Sequence, residues 1–171
     1  DLRFGLSINA PYGSVTSPDR DWGGRVNSLS TKARTITITP SVAYQISPQL
    51  SVGVGLQIQY FKARFIGAAA AGLPTPAIAG LEGDGWGFGL TAGVTWKPFV
   101  GTAIGIGYRS RIDQPFEGNY ISLTAAGLPA SALNGSKISG TLRLPDRLNL
   151  SIRQAITPQF DLLASVEWQG W

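Results

Sequence analysis

Charged side chains recur at alternate positions in several segments of this 171-residue sequence. A guanidinium group is planar and can donate two parallel hydrogen bonds to a carboxylate. Arg109, Arg143 and Arg147 are therefore candidates for binding an anionic group of a ligand. The alternative is an ionic network that only shapes the surface on which these charges lie. The charged residues expected on this one face of the alternating segments are Arg3, Arg109, Arg111, Arg143, Arg147 and Arg153 with Asp113, Glu117, Asp161 and Glu167.

Histidine and cysteine are both missing from the sequence. Their absence removes Ser-His-Asp and Cys-His nucleophiles and most zinc sites, and leaves carboxylate or lysine chemistry as the remaining enzymatic routes. Nothing in the pattern marks one carboxyl group for a raised pKa. We therefore predict that the protein is not an enzyme, with no catalytic residue, no metal site and no cofactor.

Two segments that would connect strands are unusually apolar. Residues 68–81 read AAAAGLPTPAIAGL and residues 123–133 read LTAAGLPASAL. Exposed loops are normally polar, so these segments either seal one another or line a groove that collects hydrophobic molecules. The groove would be lined by Leu73, Pro74, Ile78, Leu81, Leu123, Leu128 and Leu133.

Two basic residues, Lys62 and Arg64, follow the aromatic Tyr60 at the end of an alternating segment. They either face water and the phosphates of lipopolysaccharide or guide an anionic headgroup. The other basic residues are scattered along the chain, although the net charge is +4. Scattered basic residues argue against nucleic acid as a partner.

Side-chain character alternates with a period of two through residues 85–120, which is the pattern of paired β-strands. Even positions are apolar, whereas odd positions carry glycine, threonine or charge. Trp86 and Trp96 flank one apolar stretch, and a strand of that length tilted by about 40° rises about 25 Å. That is about the height of the apolar band of a bilayer, so even-numbered side chains are predicted to face lipid.

The whole chain shows this pattern, and only 14% of its residues are charged, against about 25% in soluble domains. Long connections at 11–31, 67–84 and 121–136 alternate with short turns, which is typical of outer-membrane barrels. The fold class is therefore predicted to be all-β, an antiparallel up-and-down transmembrane β-barrel. Seven strands are expected, at about residues 2–10, 35–46, 50–60, 86–96, 104–120, 138–153 and 160–169.

An odd number of strands leaves a free edge. Residues 1–171 are therefore expected to be one partial barrel domain, about half of a larger barrel, and no leader sequence is visible at its start.

An ordered series of short motifs resembles the FadL-type transporters of long-chain fatty acids and hydrocarbons, a family that includes OmpP-type and TodX-like proteins. The series runs over nearly the whole chain: residues 4–13, FGLSINAPYG; 22–25, WGGR; 40–44, PSVAY; 50–56, LSVGVGL; 84–89, DGWGFG; 108–110, YRS; 116–120, FEGNY; 144–145, LP; and 168–171.

The resemblance implies a 14-stranded barrel in the bacterial outer membrane, plugged by an N-terminal hatch that this chain lacks together with the later strands. It also implies capture of a hydrophobic substrate at the outer loops, passage to a lumen pocket and sideways release at a kinked strand. The kink corresponds to Pro11, Tyr12 and Gly13, where proline has no N–H to donate and glycine permits a bulge. The implied partners are fatty acids, hydrocarbons and outer-membrane lipid.

Two other functions stay open at this point. A general diffusion porin would have polar loops in place of the apolar ones. A soluble all-β binding module would bury the even-numbered side chains in its own interior.

Overall fold

The computed structural model describes residues 1–19, 22–24, 28–68, 78–123 and 134–171, with the backbone alone at residues 68, 78, 122 and 123. No helix in these ranges is long and apolar enough to cross a membrane. The described residues form ten strands: β1 Leu2–Asn9, β2 Gly13–Thr16, β3 Ser30–Gln45, β4 Leu50–Ala68, β5 Ile78–Trp96, β6 Thr102–Arg109, β7 Ile112–Leu123, β8 Lys137–Leu144, β9 Arg147–Thr157 and β10 Phe160–Gln169.

These ten strands form one antiparallel sheet of seven rows, in the order β1-β3-β4-β5-β6-β9-β10. Strand β2 continues the row of β1, because both pair with β3. Strands β7 and β8 continue the rows of β6 and β9 and pair with each other. Neighbouring rows are also neighbours in sequence, as expected for an up-and-down topology, and the seven predicted strands are confirmed.

The second predicted loop, residues 67–84, is wrong over much of its length. The ladder between β4 and β5 runs without interruption from Leu50 opposite Trp96 to Ala68 opposite Ile78. The glycines and charges that read as a loop lie within this ladder, where Gly80 is opposite Ile66 and Glu82 is opposite Arg64. Opposite charges that face each other across a ladder stabilise it, so charge does not mark a loop here. Strand β7 likewise extends to Leu123, three residues into the third predicted loop.

One face of the sheet, here called the apolar face, carries large hydrophobic side chains in contact with solvent. Phe4 is 81% exposed, Trp86 53%, Ile106 49% and Leu150 52%. A soluble protein would bury such a continuous surface, so the expectation of a soluble module with these residues in its interior is wrong. The opposite side, the polar face, carries Thr37, Gln59, Arg109 and Arg147.

The register of the fifth row against β5 shifts by one residue between its two strands, β6 and β7. The sixth row follows this shift between β9 and β8. Thr91 of β5 lies opposite Arg109 of β6, but Asp84 lies opposite Glu117 of β7. Residues 85–90 therefore face the longer segment 110–116, which is a bulge. Even-numbered side chains of β7 and β8 consequently turn to the polar face, so the predicted outward direction of Ile112 is wrong, and this residue is only 4% exposed.

Glycines at alternate positions of β5 allow the displaced segment to lie on the polar face. A Cβ atom at Gly87 would come within 2.6 Å of both Gln114 and Ile112, and one at Gly89 within 2.7 Å of Ile112. A side chain at either position would occupy the space that this segment fills. Below, residues 112–116 are called the inner segment.

The inner segment is joined to the sheet by amide side chains. The Thr37 hydroxyl donates to Gln59 Oε1 at 2.9 Å, and Gln59 Nε2 donates to Gln114 Oε1 at 3.2 Å. All three residues are fully buried. Because buried polar groups are costly when unpaired, this chain of bonds fixes the segment in one position.

Candidate functional site

The first row of the sheet is interrupted between Asn9 and Gly13. Asn9 lies opposite Thr37 and Gly13 opposite Arg34, so three residues of this row face two residues of β3. Pro11 lies within the interruption and has no N–H for a ladder bond. The ladder is thus broken at the residues where the sequence predicts a loss of pairing.

A single side chain of the neighbouring strand replaces the missing ladder bonds. The Thr35 hydroxyl accepts a hydrogen bond from the Tyr12 backbone nitrogen at 3.0 Å and donates one to the Tyr12 carbonyl oxygen. Thr35 is itself buried. The peptide at Tyr12 is therefore held by one hydroxyl group in place of a continuous strand pairing.

Arg147 reaches Tyr12 from the sixth row. Its guanidinium carbon lies 5.4 Å from the centroid of the Tyr12 ring, within the range of a cation–π contact. Its Nη1 atom also lies 3.8 Å from Glu167 Oε1 of β10. Arg147 begins β9 directly after Pro145 and Asp146, where the sixth row is itself interrupted.

Arg109 lies beside Arg147 on the polar face. The two arginines are direct partners in the register of β6 and β9. Like charges that face each other across a ladder repel, and Arg109 forms no ion pair with a carboxylate of the described residues. Of these two guanidinium groups, only that of Arg147 lies within ion-pair distance of a carboxylate of the described residues, Glu167.

A cavity of about 420 Å³ adjoins these groups. It joins the strand break to the paired arginines, and Thr91, Asn149 and Glu167 add further polar groups to its lining. Its volume falls within the range of small-molecule sites. The residues that line it are Asn9, Ala10, Pro11, Thr91, Gly107, Tyr108, Arg109, Arg147, Asn149 and Glu167.

Arg143 lies away from Arg109 and Arg147, although the sequence groups the three. The bulge turns the odd-numbered side chains of β8, including Arg143, to the side of the apolar face. There the Arg143 Nε atom lies 3.9 Å from Asp113 Oδ1. Both side chains are more than half exposed. The expectation that Arg143 and Asp113 face the interior is therefore wrong, because counting alternate positions cannot detect one extra residue.

Lys62 and Arg64 lie on the same side as the apolar face, just beyond the aromatic pair of Tyr60 and Trp86, whose ring centroids are 5.1 Å apart. Both basic groups lie 3.6 Å from a carboxylate oxygen of Glu82. They form a charged border above the aromatic residues.

Most of the predicted apolar groove lies outside the described residues. This is so for Leu73, Pro74, Leu128 and Leu133. Ile78 and Leu123 face each other in the backbone ladder between β5 and β7. Leu81 is 38% exposed and lies between Phe65 and Tyr120 in the register.

Sequence reasoning missed three parts of this site, namely Thr35, Glu167 as the partner of Arg147, and the contact between Arg147 and Tyr12. These residues lie in the first, second, sixth and seventh rows, so no local spacing connects them. No group of three or more His, Cys, Asp or Glu residues in the described part of the chain could hold a metal ion.

Comparison with known proteins identifies relatives of this sheet. The family model for outer membrane protein transport proteins (OMPP1/FadL/TodX) matches residues 1–171. A long-chain fatty acid transport protein of Escherichia coli is 28% identical over 200 residues, covering 98% of this chain and 45% of the relative. A 47 kDa outer membrane protein of Pasteurella multocida is 35% identical over 114 residues, covering 61% of this chain and 27% of the relative.

Solved structures show the same fold. A FadL homologue of Pseudomonas aeruginosa matches with a TM-score of 0.84 at 24% identity, over 99% of this chain and 46% of that one. The toluene transporter TbuX of Ralstonia pickettii matches with a TM-score of 0.76 at 15% identity, over 97% of this chain and 50% of that one. The chain thus spans about half the length of the proteins it matches.

Proposed function

Because the chain belongs to the outer membrane protein transport family (OMPP1/FadL/TodX), we propose that it carries hydrophobic compounds across the bacterial outer membrane. Long-chain fatty acids and aromatic hydrocarbons are the proposed substrates. The match of the family model over residues 1–171 is the observation on which this proposal rests. The apolar face supports it, since a band of exposed apolar side chains requires a lipid environment.

The proposed route begins at the apolar outer segments. Leu73, Pro74, Ile78, Leu81, Leu123 and Leu128 collect the substrate there, because burial of apolar surface favours it by about 25 cal/mol per Å². Above the aromatic border, Lys62 and Arg64 face lipopolysaccharide phosphates and guide anionic headgroups. The route involves no catalytic step.

The substrate then enters the cavity beside Arg109 and Arg147 and leaves sideways at Pro11, Tyr12 and Gly13. Sideways release keeps an apolar molecule out of the aqueous lumen. The strand break supports this exit, because there the wall is held by the Thr35 hydroxyl instead of ladder bonds. Arg143 has no part in this route, since it lies on the opposite side of the sheet.

Deletion of Pro11 tests the exit. Without this residue, two residues face two between Asn9 and Gly13 and the ladder can run through. In cells that express the full-length gene product but lack their own transporters, uptake of radiolabelled oleate should fall at least about tenfold, because ladder bonds close the wall. Substitution Pro11→Ala is the matched control, since it keeps the extra residue and should retain uptake.

Sideways exit is refuted if a folded Pro11 deletion variant takes up oleate as fast as the unmodified protein. A second measurement separates this function from a general diffusion porin. Liposomes that contain the unmodified protein should not swell in isotonic sugar solutions, whereas swelling without oleate uptake would show a porin.

A further inference from the structure

We propose that four basic side chains on the outer wall of the sheet bind a phosphate group of lipopolysaccharide in the outer leaflet of the membrane. They are Lys32, Arg34, Lys62 and Arg64, here called the basic cluster. In the register of β3 and β4, Lys32 faces Arg64 and Arg34 faces Lys62. This inference rests on the proposed function in the outer membrane, and it adds a defined lipid site that includes two residues of β3.

The basic cluster lies at the depth of the lipid headgroups. The register pair next to it on the membrane side is Ile36 with Tyr60, and the Tyr60 ring lies beside Trp86. Aromatic girdles mark the boundary of the apolar band in outer-membrane barrels. Two residues of a tilted strand rise about 5 Å, so the two pairs of cations lie about 5 and about 10 Å beyond the aromatic rings. Phosphate groups of lipids are found in this layer.

The charge of the basic cluster is balanced only on its β4 side. Glu82 of β5 lies 3.6 Å from both Lys62 and Arg64, and Asp84 is the register partner of Lys62. By contrast, Lys32 and Arg34 form no ion pair with a carboxylate of the described residues. Because like charges that face each other across a ladder repel, an anion beside β3 would stabilise both pairs.

Nothing in the row beyond β3 supplies that anion. The register partners of Arg34 and Lys32 in β2 are Gly13, which has no side chain, and Val15, which is apolar and 62% exposed. Both cations are themselves exposed. The β3 side of the basic cluster is therefore open to an anion from outside the chain.

A phosphate monoester suits this arrangement. Side chains directly opposite each other in a ladder have Cβ atoms about 5 Å apart, and diagonal neighbours are about 7–8 Å apart, so long basic side chains can converge on one group. A phosphate monoester carries up to two negative charges and three acceptor oxygens, enough for an arginine fork and a lysine together. The acyl chains of the same lipid would lie on the apolar face below, where Ile36 is 53% exposed.

Bisphosphorylated lipid A and its dephosphorylated form are suitable probes, because they share the same sugars and acyl chains. Native mass spectrometry of the full-length gene product in detergent measures the apparent Kd of each, with EDTA present to exclude bridging metal ions. The test variant is the double substitution Lys32→Gln with Arg34→Gln. The matched control is Lys137→Gln with Arg143→Gln, which removes the same charge on the same side of the sheet, where Arg143 lies near Asp113.

The apparent Kd for bisphosphorylated lipid A should rise about tenfold in the test variant, as expected for loss of charge-assisted contacts. The control should bind as tightly as the unmodified protein, and dephosphorylated lipid A should bind weakly to all three. An unchanged Kd in the test variant, an equal loss in the control, or tight binding of the dephosphorylated form would overturn the proposal.

A charge-preserving variant separates binding from folding. Lys32→Arg with Arg34→Lys keeps both cations and should retain the affinity for bisphosphorylated lipid A, whereas a loss equal to that of the glutamine variant would show a structural role and overturn the proposal. Oleate uptake by cells is measured in parallel. If the unmodified protein takes up no oleate but binds lipid A through the basic cluster, the transport function alone fails; if it takes up oleate and the glutamine variant binds lipid A unchanged, the lipid site alone fails.

Discussion

Glycine at particular positions determines what can lie on the polar face of β5. A Cβ atom at Gly85 would collide with the Pro115 carbonyl, and atoms at Gly87 and Gly89 would contact Ile112. The inner segment therefore fills the space that a side chain at Gly85, Gly87 or Gly89 would occupy. In turn it buries Gln59 and Gln114, which then need each other as hydrogen-bond partners.

Substitution Gly87→Val should destabilise the protein by about 1–3 kcal/mol, because it forces side chains into space that is already filled. The measurement is the temperature at which the folded band is lost when samples of the full-length protein, each heated to a different temperature, are separated by electrophoresis. Gly140→Val is the matched control, since a Cβ atom at Gly140 would meet nothing within 4 Å. Equal midpoints for the two variants would show that the inner segment does not pack on β5 as described.

Strand interruptions act at the scale of elements. The first row is broken at residues 10–12, the fifth at 110–111 and the sixth at 145–146. The first and sixth breaks come into contact through Tyr12 and Arg147, while the fifth carries the extra residue that moves the inner segment. The polar face is therefore shaped by departures from regular pairing.

Substitution Thr35→Val should loosen the first break without unfolding the sheet. Valine has the shape of threonine but cannot bond to the Tyr12 peptide, and each lost bond costs about 1 kcal/mol. Amide hydrogen exchange in a peptide covering residues 8–14 should become faster, while the unfolding midpoint changes little. Thr95→Val on the same face serves as the control, and equal exchange rates in the two variants would refute the role of Thr35.

At the scale of the whole molecule, the apolar face determines where the protein resides. Leu150 and Ile106 are cross-strand partners in the register and both remain exposed. With the aromatic pair of Tyr60 and Trp86 and the charged border beyond it, this face has the layered character of an outer-membrane barrel wall.

Substitution Leu150→Arg should impair insertion, because an arginine on the lipid face costs about 2–4 kcal/mol near the bilayer midplane. Ser165→Arg is the matched control, since Ser165 lies one register position away on the polar face. The folded fraction after refolding into liposomes measures the difference. Similar folded fractions for both variants would contradict a lipid-facing position for Leu150.

The sequence was sufficient to predict those features that depend on local alternation. Residues such as Trp86 and Leu150 sit in strands with a period of two, and this period alone assigned seven rows and two faces. The resemblance to the family came from an ordered series of short motifs such as residues 84–89, DGWGFG. Pro11 also marked the first break, because the missing N–H is a property of the residue itself. These features need no knowledge of which strands become neighbours.

Only the tertiary structure decided the features that depend on contacts between rows. One extra residue between β6 and β7 reverses the direction of Arg143 and Ile112, and a bulge leaves no clear mark in a pattern of alternating positions. Contact of Arg147 with Tyr12 joins residues 135 positions apart, so no spacing could reveal it. Alternation records which way a side chain points relative to its own strand, whereas register and strand breaks determine which side chains meet.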